Sequence, residues 1–530
     1  MSSGELPAGQ PARVAPLRAA RCTVPELLAA RAQAAPDRVA LLVPGRSELT
    51  FAEWDQRSNE LARQLLDRGL GRGDRVGLLF ANRDWVDYAI SYCAVQKAGG
   101  VAVPISDRMA PAEVQYMLTH CAAVAVLHGD GITPPSGAAW SALPGDLRSS
   151  DRSPVGIVVG PADPAQILYT SGTTGRPKGV AATHANLTHG CQPAARHRRL
   201  AHSEYFLHAF PVGTNAGQTM LVNALDAHPT ALVVTRFTAG HVGRMIESYR
   251  VGTVFVVPAM AIELLNSRVH ERHDLSSIRL LGSTAAALPP SVATALAEAL
   301  PRATIVNYYT STEAAPAQTT MIFDPTRPAS VGRAVDGALM VAGQEGQALP
   351  VGAVGEVCLR SPTTPRSYYR DDVASREVFR DGWVRMGDVG YLDDGGYLYL
   401  VDRDRDVIKS GAFKVSTLQV EAALFEHPAV ADGAVFGVPH PVLGTAVVAA
   451  VVLRAGRESA LTTLGELREF LADRLAEHEF PTRVLLVGDL PRNPGGKVLK
   501  RELQGLAADR TVRELRPTAA AAPVGSPPHP

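Results

Sequence analysis

Residues 166–180 read Gln166-Ile167-Leu168-Tyr169-Thr170-Ser171-Gly172-Thr173-Thr174-Gly175-Arg176-Pro177-Lys178-Gly179-Val180, an apolar strand running into a loop of hydroxyl residues and glycines. Such a loop leaves backbone N–H groups and hydroxyls free to surround an anion. Lys178 supplies a positive charge at its far end. The spacing from Gly172 to Lys178, and the glycine after the lysine, do not fit the GxxxxGK[ST] pattern of nucleotide hydrolases.

The strand before this loop is one of a series. The amphipathic stretch Trp54 to Leu66 alternates with β-rich runs at Arg75 to Phe80, Val101 to Pro104 and Val124 to Leu127, and further strands are expected at Ala231 to Val234, Thr253 to Val257 and Thr304 to Asn307. Alternation at helix-length spacing predicts βαβ units and largely parallel sheets, an α/β fold. From Gly332 to Val401 the texture changes to short strands broken by Asp-Gly pairs, which predicts an antiparallel β subdomain. The charged run Asp402 to Asp406 reads as a polar hinge. Beyond it, a helix near Leu418 to Phe425, strands at Ala431 to Val438 and Ala446 to Leu453, and a helix at Leu464 to Ala476 predict a small mobile α+β domain. The expected division is a flexible arm (1–22), a large domain (23–401), a small domain (402–506) and a disordered Pro/Ala-rich tail (507–530).

At 530 residues the chain exceeds what one hydrophobic core supports. Its 52 basic and 52 acidic residues balance, so no global field favours nucleic acid or an anionic membrane, and an anion site must be local. The five cysteines are scattered without a CxxC pair, which fits reduced thiols in the cytosol rather than a disulfide framework or a structural zinc site. No export signal or membrane span is expected, since the best apolar run, Val251 to Leu265, is short and contains Glu263.

The loop Ser171 to Gly179 resembles the signature of the adenylate-forming superfamily of acyl-CoA synthetases, adenylation domains and luciferases. Five further segments follow in the same order. Thr183-His184-Ala185-Asn186-Leu187 resembles the helix start after the loop, and Asn307-Tyr308-Tyr309-Thr310-Ser311-Thr312-Glu313 resembles the Tyr-Gly-x-Thr-Glu segment. Trp383 to Asp388 resembles Trp-x-Arg-Thr-Gly-Asp, Val401 to Arg403 with Ile408 to Gly411 resembles the hinge and the loop after it, and Asn493 to Lys497 resembles the lysine loop. The resemblance spans about Thr23 to Leu503 and is closest in type to an acid-CoA ligase. It implies that ATP and an acid form an acyl-adenylate with release of pyrophosphate, and that the acyl group then passes to the thiol of CoA. A carrier protein's phosphopantetheine or a nitrogen nucleophile are the alternative acceptors.

By the same resemblance, Thr170, Ser171, Gly172, Thr173, Thr174, Gly175 and Lys178 hold the phosphates. Tyr309 stacks on adenine, Thr312 touches the α-phosphate, and Glu313 holds Mg²⁺, a hard cation that keeps water and phosphate ligands. Asp388 and Arg403 hold the ribose, Lys497 is the catalytic lysine on a mobile Pro/Gly loop, and Arg405 is the pivot. Lys409, Ser410 and Gly411 face the acceptor. Lys500 and Arg501, lacking that setting, read as solvated. The departures from the pattern gather at the acyl pocket, assigned to Thr214, Asn215, Gly217, Ser283, Thr284 and Thr310. Thr284 and Thr310 replace glycines, and Thr214 stands where a histidine or aspartate is usual. These changes predict a short cavity whose hydroxyls suit a small or polar acid, with no carboxylate to pair an α-ammonium.

Overall fold

The computed structural model describes residues 22–170, 176–193, 198–335, 337–403, 406–410, 413–457, 461–509 and 512–515. Ser171, Gly172, Thr173, Thr174, Gly175, Arg405 and Gly411, with the expected arm before Cys22 and the tail after Leu515, lie outside the described residues.

Two largely parallel sheets form the large domain. In one, Val39–Val43, Thr230–Val233, Tyr205–His208, Thr253–Val256, Leu280–Ser283 and Thr304–Tyr309 run parallel, with antiparallel edges at Ser47–Thr50 and Thr319–Ile322. In the other, Pro164–Thr170, Val101–Ser106, Arg75–Phe80, Ala125–His128 and Trp140–Ala142 run parallel, and Lys178–Thr183 folds back on Pro164–Thr170. The helix Trp85–Lys97 lies between them, with every residue but Asp87 buried. That explains its lack of a polar stripe, since a helix packed on all sides is apolar all round. Tyr92 donates to Gln166 of one sheet at 2.8 Å, and Trp85 meets His208 of the other edge-to-face at 5.1 Å. Its buried cation, Lys97, is met by Asp55 Oδ1 and Asn59 Oδ1, both at 2.7 Å. The helix expected from Trp54 begins at Phe51, because Thr50 and Glu53 close a capping box that satisfies its first N–H groups.

Residues Ser330 to Arg403 form the antiparallel sheet expected of the β subdomain. The last sheet is built on the long hairpin Val430–His440 with Gly444–Leu453, flanked by Ile408–Ser410, Phe413–Val415 and Arg483–Leu486. The helix expected to reach Ala476 stops at Leu471, where the chain turns to bury Leu475. Ordered packing also runs past residue 506. The helix Lys500–Ala508 continues into a segment whose Leu515 is buried, with Leu515 N–H bonded to Val484 C=O at 3.0 Å and Glu514 ion-paired to Arg483. Lys500 is not a solvated lysine. Its ammonium donates to Thr417 Oγ1 at 2.9 Å and pairs with Glu421 at 3.2 Å, pinning this helix to Thr417–Phe425.

The small domain rests on the large one through Asn266, at the end of the helix Pro258–Asn266. Its amide donates to Ala431 C=O at 3.3 Å, and its Oδ1 accepts from Arg454. Among the described residues no helix is long and apolar enough to cross a membrane. All five cysteines are free and buried, and burial pushes the thiols of Cys93 and Cys191 up to about 12.

Candidate active site

Ligands of open α/β sheets sit beyond the carboxyl ends of the strands. Three of the singled-out segments lie there: Ser283 and Thr284 at the end of Leu280–Ser283, Tyr309 and Thr310 at the end of Thr304–Tyr309, and Thr312 and Glu313 in the turn that follows. Ser283 and Asn307 are register partners on adjacent strands, and both are buried. Ser283 Oγ and Asn307 Oδ1 have no hydrogen-bond partner among the described residues.

Thr170 and Lys178 are register partners, so the signature loop connects two antiparallel strands. The strand Ser367–Tyr368 pairs with the second of these, setting Tyr368 opposite Val180. From there the Tyr368 ring meets the Lys178 ammonium, 4.8 Å from its centroid, while the Tyr368 hydroxyl donates to Glu313 Oε1 at 3.0 Å. Burial, and then the adjacent Glu313 carboxylate, push the Tyr368 phenol well above its usual range. Arg366 is buried beside it and donates from Nη1 to the carbonyl of Thr312 at 2.8 Å.

Asp388 is buried and accepts from the Tyr309 hydroxyl at 2.6 Å. Its register partner is Arg403, whose backbone the sheet brings alongside and whose side chain lies outside the described residues. Tyr309, Asp388 and the backbone of Arg403 therefore share one corner.

The lysine segment is a built turn rather than a loose loop. Asn493 N–H bonds to Lys497 C=O at 2.9 Å, Asn493 Oδ1 accepts from Lys497 N–H at 2.9 Å, and Gly496 has φ of +83°, where a side chain is strained. Arg492 braces it, donating to Gly496 C=O at 2.8 Å and pairing with Asp432 at 2.6 Å. The turn seats on the large domain. A Cβ at Gly496 would stand 2.9 Å from a methyl of Val257, and one at Gly495 would stand 3.9 Å from the Thr214 methyl.

Two of the hydroxyls assigned to the acyl pocket are already engaged by backbone. Thr214 caps the helix Asn215–Asp226: its oxygen accepts from Gly217 N–H at 3.1 Å and donates to Pro211 C=O at 2.8 Å. Thr310 donates to Ala317 C=O at 2.6 Å. Both hydroxyl protons are committed to backbone carbonyls, so toward a substrate these oxygens can only accept. Asn215 opens the same helix, half-buried, while Gly217 is buried where a Cβ would strike Pro211 C=O. Lys409 and Ser410 are not gathered with the rest. Ser410 instead lines a separate cleft of about 580 Å³ within the small domain, beside Phe413, Arg468 and His478.

Among the described residues no three His, Cys, Asp or Glu side chains cluster as a metal cage. The donor set fits a cation held by Glu313 together with phosphate oxygens and water, as Mg²⁺ prefers.

Residues 28–369 match the AMP-binding enzyme family, and residues 419–497 match the AMP-binding enzyme C-terminal domain. The chain belongs to the AMP-binding enzyme family. It is similar to feruloyl-CoA synthase of an Amycolatopsis species, 33% identical over 475 residues that cover 87% of this chain and 94% of that one. It is also similar to oxalate–CoA ligase of Arabidopsis thaliana, 30% identical over 507 residues, covering 90% and 97%. Among solved structures, ATP-bound MatB from Rhodopseudomonas palustris superposes with a TM-score of 0.79 at 28% identity, covering 92% of this chain and 99% of that one. This chain is an AMP-forming, adenylate-forming acid ligase with the two-domain α/β architecture of that family. Tyr368, Arg366 and Arg492 were missed in the sequence. Tyr368 and Arg366 lie in no segment read as a motif, and Arg492 adjoins the lysine loop without any local sign of its partner Asp432.

Proposed function

We propose that this ligase activates a small acid and transfers it to CoA, with Lys497 acting in the first step. The observation that supports this reading most is the seat of the Lys497 turn on Thr214 and Val257, which puts the lysine's backbone beside the assigned acyl pocket. Attack of a carboxylate on the α-phosphate brings two anions together. Fixed positive charge and donors aimed at the developing negative charge lower that barrier. Lys497 supplies such a charge from the small domain, and Lys178 with the signature loop holds the departing pyrophosphate. Tyr309 covers adenine while its hydroxyl orients Asp388 toward the ribose. Thr312 contacts the α-phosphate. A bound Mg²⁺ supplies neutralisation of the phosphate oxygens, and Glu313 is the carboxylate that would hold it.

Thr284 and Thr310 support a short acyl cavity by volume, because packed interiors have no slack for the methyl and hydroxyl each adds where glycine is usual. Polar recognition falls instead to Ser283 Oγ and Asn307 Oδ1, buried atoms that a polar acid or the adenine would satisfy. Five buried thiols suit a cytosolic setting.

The test is pyrophosphate release from ATP over a panel of acids graded from two carbons to long fatty chains, followed by product analysis with CoA, a pantetheinylated carrier protein or an amine as acceptor. Short or polar acids are expected to give the highest kcat/KM, and CoA the thioester. A preference for long chains would refute the cavity reading, and turnover with only the carrier protein or the amine would replace the acceptor.

A further inference from the structure

Arg366 is a buried charge beside the site that the mechanism above does not use. It immediately precedes Ser367–Tyr368, the short strand that carries the Tyr368 ring to Lys178 and its hydroxyl to Glu313. Its guanidinium is enclosed, with the residue 6% exposed, and no carboxylate stands within ion-pair distance of it among the described residues. One arm donates to the Thr312 carbonyl at 2.8 Å, while Nε is buried without a partner. Burial lowers its pKa only to about 10, with Tyr92 and Glu313 opposing the fall, so the cation persists at neutral pH. A buried cation without a paired carboxylate is costly to keep. The carbonyl it holds belongs to Thr312, the residue before Glu313.

We propose that Arg366 and Tyr368 are positioning residues that fix the Thr312–Glu313 corner: Arg366 clamps the backbone at Thr312 and sets a positive charge behind Glu313, and Tyr368 orients one carboxylate oxygen. With Oε1 held by Tyr368, Oε2 would be the oxygen left to hold the nucleotide's cation. This rests on the reading of Glu313 as the metal carboxylate.

The experiment measures calorimetric ATP binding to the full chain at graded Mg²⁺ without acid, beside kcat for pyrophosphate release and the melting temperature. Arg366→Met, of similar length but uncharged, is expected to raise the Mg²⁺ concentration for half-maximal ATP binding at least tenfold, with Arg366→Lys intermediate. Tyr368→Phe is expected to shift it severalfold. A purely structural role would lower the melting temperature and leave the Mg²⁺ response unmoved. A folded Arg366→Met with half-saturation within twofold of the parent overturns the proposal. If that variant does not fold, Tyr368→Phe decides by the same criterion. Glu313→Gln separates the two readings. If it loses the Mg²⁺ response while the Arg366 and Tyr368 variants keep it, only the positioning claim fails. If it keeps the response, the metal reading fails and the positioning claim fails with it.

Discussion

Thr310 was assigned to the acyl pocket for its bulk and its hydroxyl, and backbone already claims the hydroxyl's proton. Its methyl and hydroxyl fill space where glycine is usual, but the hydroxyl is bonded to Ala317 C=O at 2.6 Å. Thr310→Val keeps the shape and strands the carbonyl of the buried Ala317, so it should destabilise the fold by about 1–3 kcal/mol while leaving the order of preferred acids unchanged. Denaturant melts and the acid panel check the two halves. A stable Thr310→Val with altered acid preference would return the hydroxyl to the substrate. Residue types at the site were legible because their chemistry is written in the side chain: a carboxylate at 388 and an ammonium at 497. Which hydroxyls remain available to a ligand was not legible, because Pro211 and Ala317 compete for them through backbone geometry that the sequence does not display.

At the scale of elements, strands bounded by breakers were read well, as at Arg75–Phe80, while the one expected over Thr304 to Asn307 runs on to Tyr309. Helix ends moved where caps or turns intervened, at Phe51 and Leu471. The lysine turn was recognised from its Pro and Gly residues and expected to be loose. Its stiffness comes from Arg492 reaching Asp432, a partner 60 residues away that no local pattern announces. Arg492→Gln removes that ion pair and loosens the turn without touching the nucleotide. Pyrophosphate release is expected to fall by about 10- to 100-fold, equivalent to about 1.4–2.7 kcal/mol of lost transition-state stabilisation, with ATP affinity within about twofold. Parent-like kcat in Arg492→Gln would show that the turn holds its shape without the brace.

For the whole molecule, the alternation of helix and strand foretold the sheets, and the composition foretold more than one domain. Where the small domain stops packing was not legible. Leu515 is buried by contacts with Arg483–Leu486, and a Pro/Ala-rich sequence carries no sign of such a distant partner. Nor was the docking of the domains, which depends on Asn266 meeting Ala431 and Arg454 across 165 and 188 residues of chain. That docking is what seats the Lys497 turn against Val257 and Thr214.

The account therefore turns on Lys497 acting across the domain boundary in adenylate formation. The most direct measurement is single-turnover pyrophosphate release by Lys497→Ala, with ATP binding followed by calorimetry on the same preparation. Loss of one positioned charge should slow release by about 10²-fold or more, with ATP affinity and melting temperature close to the parent's. Release at nearly the parent rate would contradict the account.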